Sequence, residues 1–335
     1  MAGSFMCEPA RESVIRECHV NPAEISNIRQ VGHLLLGSGL CKVYVTSRIS
    51  CKDSVERQQQ AMTNVDDSIV WHEPYLYARR LGTDGADREK FRTTVEQGMK
   101  AKGFGGNFDA IIGMAKKLPF GYVGSEVSYQ WVKEQLQADA PGKKLIFNKD
   151  MVEGIVDKYD AIPEGFRHVF LLRHPLKVLP SFKRMISSHP MMENVDLRKI
   201  PGTGVMPAGY FYKELFDLYE YLKDSKPIVI CTEDLQKNPE DIMKTYCKEI
   251  GLQYTENILN WANDEDAIMQ KWMIAKEAAV MLPATTIHKN AFGSTGFGEP
   301  SKLPDKAEMD EDIVEVVDKC MPYYEKMHKD RLQVE

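Results

Sequence analysis

Apolar residues in this chain gather into short runs, separated by longer stretches where they recur every three or four positions. The runs are HLLL (33–36), KVYVTS (42–47), SIVWHEP (68–74), KKLIFN (143–148), RHVFLL (167–172) and PIVIC (227–231). Their apolar positions are nearly continuous instead of alternating, the pattern of strands buried on both faces of a parallel sheet. Helical spacing appears over 54–62, much of 85–140, 149–159, the segment opened by Pro175, 208–224, 238–250, 256–262, 266–282 and 306–328. Strand and helix alternate, which predicts an α/β fold with a central parallel sheet flanked by helices. No repeat, low-complexity tract or long linker interrupts it. The expectation is one domain over 31–335, preceded by an irregular polar arm over 1–30.

Composition narrows the class. The chain has 335 residues, 43% hydrophobic and 27% charged, the balance of an ordinary soluble protein. No stretch approaches the roughly 18 consecutive apolar residues of a membrane helix, and the first twenty residues lack the apolar core of a secretory signal. The seven cysteines are scattered with no C-x-x-C pair, so neither a disulfide framework nor a metal site is expected, and a cytoplasmic setting fits. A net charge of −6 argues against a nucleic-acid binder while leaving room for a local basic pocket.

In parallel sheets of this kind, ligands bind beyond the carboxyl ends of the strands. The loops to read are therefore 47–54, 72–74, 148–150 and 173–181. SRISCKDS (47–54) joins a strand to a helix and carries hydroxyls at Ser47, Ser50 and Ser54 with cations at Arg48 and Lys52. Such a loop can wrap a phosphate with backbone N–H groups. It can equally be an ordinary helix start capped by Asp53 or Ser54. It has no glycine and is not a G-x-x-x-x-G-K-[ST] box; GSGLCK (37–42) has the glycines, but its lysine runs straight into a strand. In FLLRHPLKVLPSFKRM (170–185), Arg173 ends a strand eight residues before Ser181. A guanidinium and a hydroxyl so placed can bracket one phosphate, with Pro175 suited to a first helical turn. The plainer alternative pairs Arg173 with a surface carboxylate.

The Arg173 segment resembles the 3′-phosphate-binding segment of sulfotransferases that use 3′-phosphoadenosine 5′-phosphosulfate (PAPS). VYVTSRISCKDSVERQQQAM followed by HEPY is similar to that family's 5′-phosphosulfate loop and the acidic turn after it. LIFNKDMVEGI, PIVICTEDLQKNPEDIMKTYCKEIGL and HKNAFGSTGF resemble its later motifs, in order, over about residues 40 to 300. The likeness is to the broad sulfotransferase-like group more than to the hormone- and phenol-sulfating enzymes. It implies a P-loop-like α/β domain and sulfuryl transfer from PAPS to a hydroxyl or amine of a small acceptor, leaving 3′-phosphoadenosine 5′-phosphate (PAP). Arg173 and Ser181 would then hold the 3′-phosphate, and Ser50, Cys51, Lys52, Asp53 and Ser54, with Ser47 and Arg48, the 5′-phosphosulfate. Ser294, Thr295 and Gly296 would close over the nucleotide.

Two positions depart from the family pattern. Ser50 stands where a cation usually begins the loop, so Lys52 or Arg48 would have to stabilise the leaving oxygen. Asp53 stands where a small hydroxyl is usual. A group must also take the acceptor's proton, and the candidates are Glu73 first, then Asp150, then His72. Each has a structural alternative: a first-turn carboxylate, a helix cap and a packed histidine. The loop PGTGVMP (201–207) and the segment 82–108 are candidates for an acceptor-side lid. The competing expectations are a nucleotide-binding protein that no longer transfers the group and, against the missing Walker lysine, a phosphotransferase.

Overall fold

The computed structural model describes residues 40–47, 52–101, 103, 105–187, 194–200, 207–282 and 292–334, with 52–55 by their backbone alone. The expected arm over 1–30, the run HLLL, GSG of GSGLCK and most of PGTGVMP lie outside them. Among the described residues six strands form one sheet: β1 (Cys41–Ser47), β2 (Ser68–His72), β3 (Leu145–Met151), β4 (Arg167–Leu172), β5 (Ile228–Cys231) and β6 (Trp272–Ile274). Their order across the sheet is β5-β4-β1-β3-β2-β6, and all five pairings are parallel. From β1 the chain places β2 two positions away, returns to insert β3 between them, and then crosses to the other side of β1 for β4 and β5. In open parallel sheets a reversal of this kind, here at β1, is where ligands are bound, beyond the carboxyl ends of the strands.

The helices in chain order are α1 (Lys52–Thr63), α2 (Pro74–Leu81), α3 (Arg88–Ala101), α4 (Phe108–Ala115), α5 (Tyr129–Gln137) and the single turn α6 (Val152–Ile155). After β4 come α7 (Pro175–Ser187), α8 (Tyr212–Tyr221), α9 (Thr232–Lys237), α10 (Pro239–Ile250), α11 (Glu265–Gln270), α12 (Lys276–Met281) and α13 (Glu311–Lys329). They cover both faces of the sheet. On one face, Val43, Val45, Phe147, Lys149, Val70 and His72 align by register, and α1 and α10 pack there: His72 meets Gln59 of α1, and the Cys41 thiol donates to Ile250 O at 3.0 Å. On the other, His168, Tyr44, Asn148 and Trp71 lie in one row across β4, β1, β3 and β2. That face is layered with aromatic rings: Tyr44 lies 6.1 Å from Tyr75 of α2, and Phe170 lies 5.6 Å from Tyr219 of α8. Every residue of β3 is buried, which accounts for its lack of apolar alternation.

Three segments depart from the expected elements, the shortest being 256–262, expected as a helix, where only the 3₁₀ turn Glu256–Ile258 forms. The pattern predicts one helix over 266–282, but Trp272–Ile274 is an edge strand paired with Val70, Trp71 and His72. Trp272 and Ile274 are both buried, and a three-residue apolar run has no periodicity to distinguish strand from helix. The polar start of KDMVEGIVDKY predicts a helix from 149, yet Lys149, Asp150 and Met151 continue β3 and only Val152–Ile155 is helical. Both charged side chains find buried partners, one on each face, and those contacts override the local pattern.

On the α2 face the partner is the start of that helix. Pro74 fills its first position, where no N–H is needed. The next two amides, of Tyr75 and Leu76, donate to the Asp150 carboxylate at 2.9 and 3.1 Å, so a strand residue caps a helix distant in sequence. Met151 N adds a third donor at 2.9 Å. Burial pushes the Asp150 carboxyl up to about 7, against the three amides, which favour the charged form. Gly154 lets α6 come close: a Cβ there would lie 2.5 Å from Leu76 N.

Replacing Asp150 with Ala leaves three buried amides without an acceptor, and should lower stability by about 2–4 kcal/mol. Urea unfolding of the two chains measures this; a loss under about 0.5 kcal/mol would show that the cap contributes little.

Candidate functional site

Four strands end at the same edge, and each delivers a polar residue to it. Ser47 closes β1 and is buried, with Oγ 3.4 Å from Asp150 O and 3.7 Å from Met151 Sδ. Arg48, Ser50 and Cys51 lie outside the described residues. So do the side chains of Lys52, Asp53 and Ser54, although the backbone of Lys52, Asp53 and Ser54 forms the first turn of α1.

At the end of β2 the chain turns sharply into α2 through Glu73, whose backbone is left-handed (φ 53°, ψ 43°). A non-glycine residue in that conformation costs about 1 kcal/mol or more and needs support from its surroundings. β3 supplies it. Glu73 N donates to Lys149 O at 2.7 Å, and Lys149 Nζ donates to Glu73 Oε1 in a charge-assisted contact. Lys149 is wholly buried and Glu73 is 4% exposed, so both charges are out of water and each depends on the other. His72 precedes Glu73, with Nε2 3.8 Å from Glu73 Oε2 and Nδ1 2.9 Å from Gln59 Oε1. Its ring stacks on Trp272 with centroids 5.0 Å apart.

Beyond β4, Arg173 is half-buried. Its carbonyl accepts from Tyr212 Oη at 2.7 Å, while its Nε is buried with no hydrogen-bond partner among the described residues. A buried guanidinium N–H left over in this way suits an anion. Ser181 follows Pro180 inside α7. Glu233, after β5, collects the neighbouring donors: Lys177 Nζ and His174 N each lie 3.5 Å from its Oε1. Burial works against the Glu233 carboxylate, but the Cys231 thiol, Lys177 and Arg173 outweigh it and hold its pKa below the ordinary value.

The segment that contains Ser294, Thr295 and Gly296 crosses the helices following these strands. Ser294 Oγ accepts from Trp261 Nε1 at 3.3 Å and lies 3.4 Å from Gln60 Oε1 of α1. Thr295 O accepts from Trp261 N at 3.3 Å, and a Cβ on Gly296 would lie 3.3 Å from Leu259 O. Phe297 O accepts from Arg57 of α1 and, at 3.4 Å, from Gln236 of α9. Ser301 O accepts from Lys177 Nζ of α7 at 2.6 Å. The segment is thus tied to the helices that follow β1, β4 and β5.

The structure therefore places Ser47, His72, Glu73 and Asp150 around the ends of β1, β2 and β3, and Arg173 just past the end of β4, with Ser181 further along in α7. Sequence reasoning singled out Glu73 but missed Lys149, which holds it, and Gln59, which meets His72. A lysine inside the apolar run LIFNKDM was the available signal for the first. Nothing marks Gln59, one of three consecutive glutamines on α1. Both oxygens of Asp150 are taken by backbone amides. Among the described residues no group of three or more His, Cys, Asp or Glu is arranged to hold a metal ion, and no helix is long and apolar enough to cross a membrane.

No protein-family model matches the chain. It is 26% identical over 263 residues to branched-chain-amino-acid aminotransferase-like protein 2 of Arabidopsis thaliana, covering 77% of this chain and 36% of that protein. It is also 26% identical over 243 residues to the like-named protein 1 of the same plant, covering 71% and 33%. The chain spans about a third of the length of these curated relatives. Similar solved structures include the sulfotransferase domain from the curacin biosynthetic pathway, with TM-score 0.46 and 16% identity over 84% of this chain and 98% of that one. Another is the sulfotransferase domain of the Synechococcus PCC 7002 olefin synthase, with TM-score 0.42 and 15% identity over 83% and 94%. A sulfotransferase from Alicyclobacillus acidocaldarius aligns with TM-score 0.34 and 11% identity over 71% and 95%. At these TM-scores the assignment to the α/β class stands on the sheet order and its two helical layers.

Glu73→Gln leaves the Lys149 ammonium buried without its counter-charge and should cost about 3 kcal/mol or more. Lys149→Met should cost a similar amount, and the double variant less than the sum of the two, because neither charge is then stranded. A denaturation cycle over the four chains measures the coupling; additive losses would show that the pair is not energetically linked.

Proposed function

We propose that the chain is a PAPS-dependent sulfotransferase that moves a sulfuryl group to a hydroxyl or amine of a small-molecule acceptor. The observation that carries this reading is the convergence of Ser47, Glu73, Lys149 and Arg173 beyond the carboxyl ends of four adjacent parallel strands. These are the positions where the resembling motifs fall in sequence. Arg173, whose Nε has no partner among the described residues, and Ser181 would hold the 3′-phosphate. The 47–54 loop and the start of α1 would hold the 5′-phosphosulfate, with Lys149 as the buried cation below it. The segment 292–301, tied across α1, α7 and α9, would lie over the nucleotide.

In this reading Glu73 takes the acceptor's proton. It sits on the turn between β2 and α2, and its backbone is pinned by Lys149 O. Asp150 serves as the cap that keeps α2, and hence that turn, in place. One feature favours a second reading, a nucleotide-binding protein without transfer: Lys149 already spends its charge on Glu73.

Calorimetric titration of the chain with PAP, with ATP as control, tests the nucleotide site. Micromolar or tighter PAP binding is expected, with ATP much weaker. Arg173→Ala should weaken PAP by about 2–3 kcal/mol, the value of a charge-assisted hydrogen-bond set. Unchanged affinity in that variant would sink the assignment of Arg173. A screen of alcohols and amines with PAPS then separates the two readings: a sulfated product supports transfer, and PAP binding with no product supports the second. Tighter binding of magnesium–ATP than of PAP would point instead to a phosphotransferase.

A further inference from the structure

The junction between β4 and α7 is fixed at His174. Pro175 takes the first helical position, where its missing N–H costs nothing. The next amide, that of Leu176, donates to His174 Nδ1 at 3.2 Å. Those of Lys177 and Val178 donate to His174 O at 3.0 and 3.3 Å. His174 thus caps α7, with an imidazole nitrogen where a side-chain oxygen is usual. Because Nδ1 accepts, it carries no hydrogen, and the neutral ring has its proton on Nε2. The ring also meets Tyr324 of α13 edge-on, with centroids 5.0 Å apart, and Tyr324 stacks in turn on His328.

We propose that His174 is a positioning residue for the 3′-phosphate site: by capping α7 through Nδ1 it sets the angle between β4 and α7, and with it the placement of Arg173 relative to Ser181. The role rests on the reading of Arg173 and Ser181 as phosphate ligands; the cap itself does not. Arg173 lies on the strand side of the junction, where its carbonyl accepts from Tyr212 Oη at 2.7 Å. Ser181 lies on the other side, inside α7. Two groups so divided meet one phosphate only in the fraction of molecules with the right angle, and apparent affinity scales with that fraction. Leu176 is buried, so without the ring its amide has no acceptor and the junction loses one of its restraints.

The cap works only while the ring is neutral. Burial disfavours the imidazolium most. Glu233 at the start of α9 and Glu325 of α13 favour it, while Lys177 of α7 and His328 of α13 oppose it, and the balance holds the His174 pKa below its ordinary value. The ring is therefore neutral at neutral pH. As the pH falls below the ordinary histidine range, a proton arriving on Nδ1 removes the lone pair and sets one N–H against another. Affinity for PAP should fall with it.

The test compares the unaltered chain with His174→Asn, which keeps a side-chain acceptor, and His174→Leu, which does not. Calorimetric titration with PAP at neutral pH should give similar affinities for the first two and one about fivefold weaker for His174→Leu, the usual weight of a helix cap. Equal affinities in the two variants overturn the proposal. From about pH 8 down to about pH 5, where histidine titrates, the unaltered chain should lose affinity more steeply than His174→Asn. Protonation of PAP is common to both, so parallel profiles overturn the proposal as well. Should His174→Leu not fold, this comparison decides. In the 15N spectrum of the full chain carrying ring-labelled histidine, the signal lost in His174→Asn should show hydrogen on Nε2 and a bare Nδ1 at neutral pH. Hydrogen on Nδ1 overturns the cap. The spectrum needs no nucleotide: if the unaltered chain does not bind PAP, the phosphate role falls with the sulfotransferase reading, and the spectrum alone decides the cap.

Discussion

A carboxylate and an ammonium, both withdrawn from water, hold the end of β2 to the end of β3, and the rest of the candidate site is arranged around them. Neither charge could be buried alone: the desolvation of an isolated ion costs several kcal/mol even after relaxation. Their mutual attraction offsets that cost only while the geometry is kept, which requires Glu73 to stay in its left-handed turn. The turn in turn depends on α2 starting where it does, and that start is capped from the same strand by Asp150. Three consecutive requirements are met by two neighbouring residues of β3, and a change in any of them reaches the others.

The second half of the site is held by polar contacts between segments far apart in sequence. Arg57, Lys177 and Gln236 reach backbone carbonyls of the segment 292–301 from three different helices. Because the acceptors are main-chain oxygens, the attachment depends little on the side chains of that segment. Glu233 organises the donors beside Arg173, whose Nε has no hydrogen-bond partner among the described residues. Such a group is expensive to bury unless something else satisfies it.

Much of this was legible in the chain. Five of the six strands stand out as apolar runs because they are buried on both faces, and Arg173 is visible as a charge at the end of one. β6 was hidden because three residues are too few to show a period, and its strand identity comes from lying beside β2. Lys149 and Asp150 were read as a helix start for a related reason: local polarity says nothing of a partner 75 or so residues away in the chain. The contact of Gln59 with His72 is least legible of all. It arises from how a helix face meets a ring on a neighbouring strand, a matter of packing with no counterpart in composition or spacing.

The alternation of side chains along β3 has a consequence for how the sheet can assemble. Lys149 and Asp150 point to opposite faces and carry opposite charges. If β3 slipped by a single position against its neighbours, an ammonium would meet the positive end of α2 and its N–H groups, and a carboxylate would meet Glu73. Both encounters have the wrong sign. Apolar strands slide with little more than a packing penalty, but this one is proof-read by charge, so the misaligned sheet is penalised on both faces at once. The same two residues that furnish the candidate site therefore guard the alignment on which it depends.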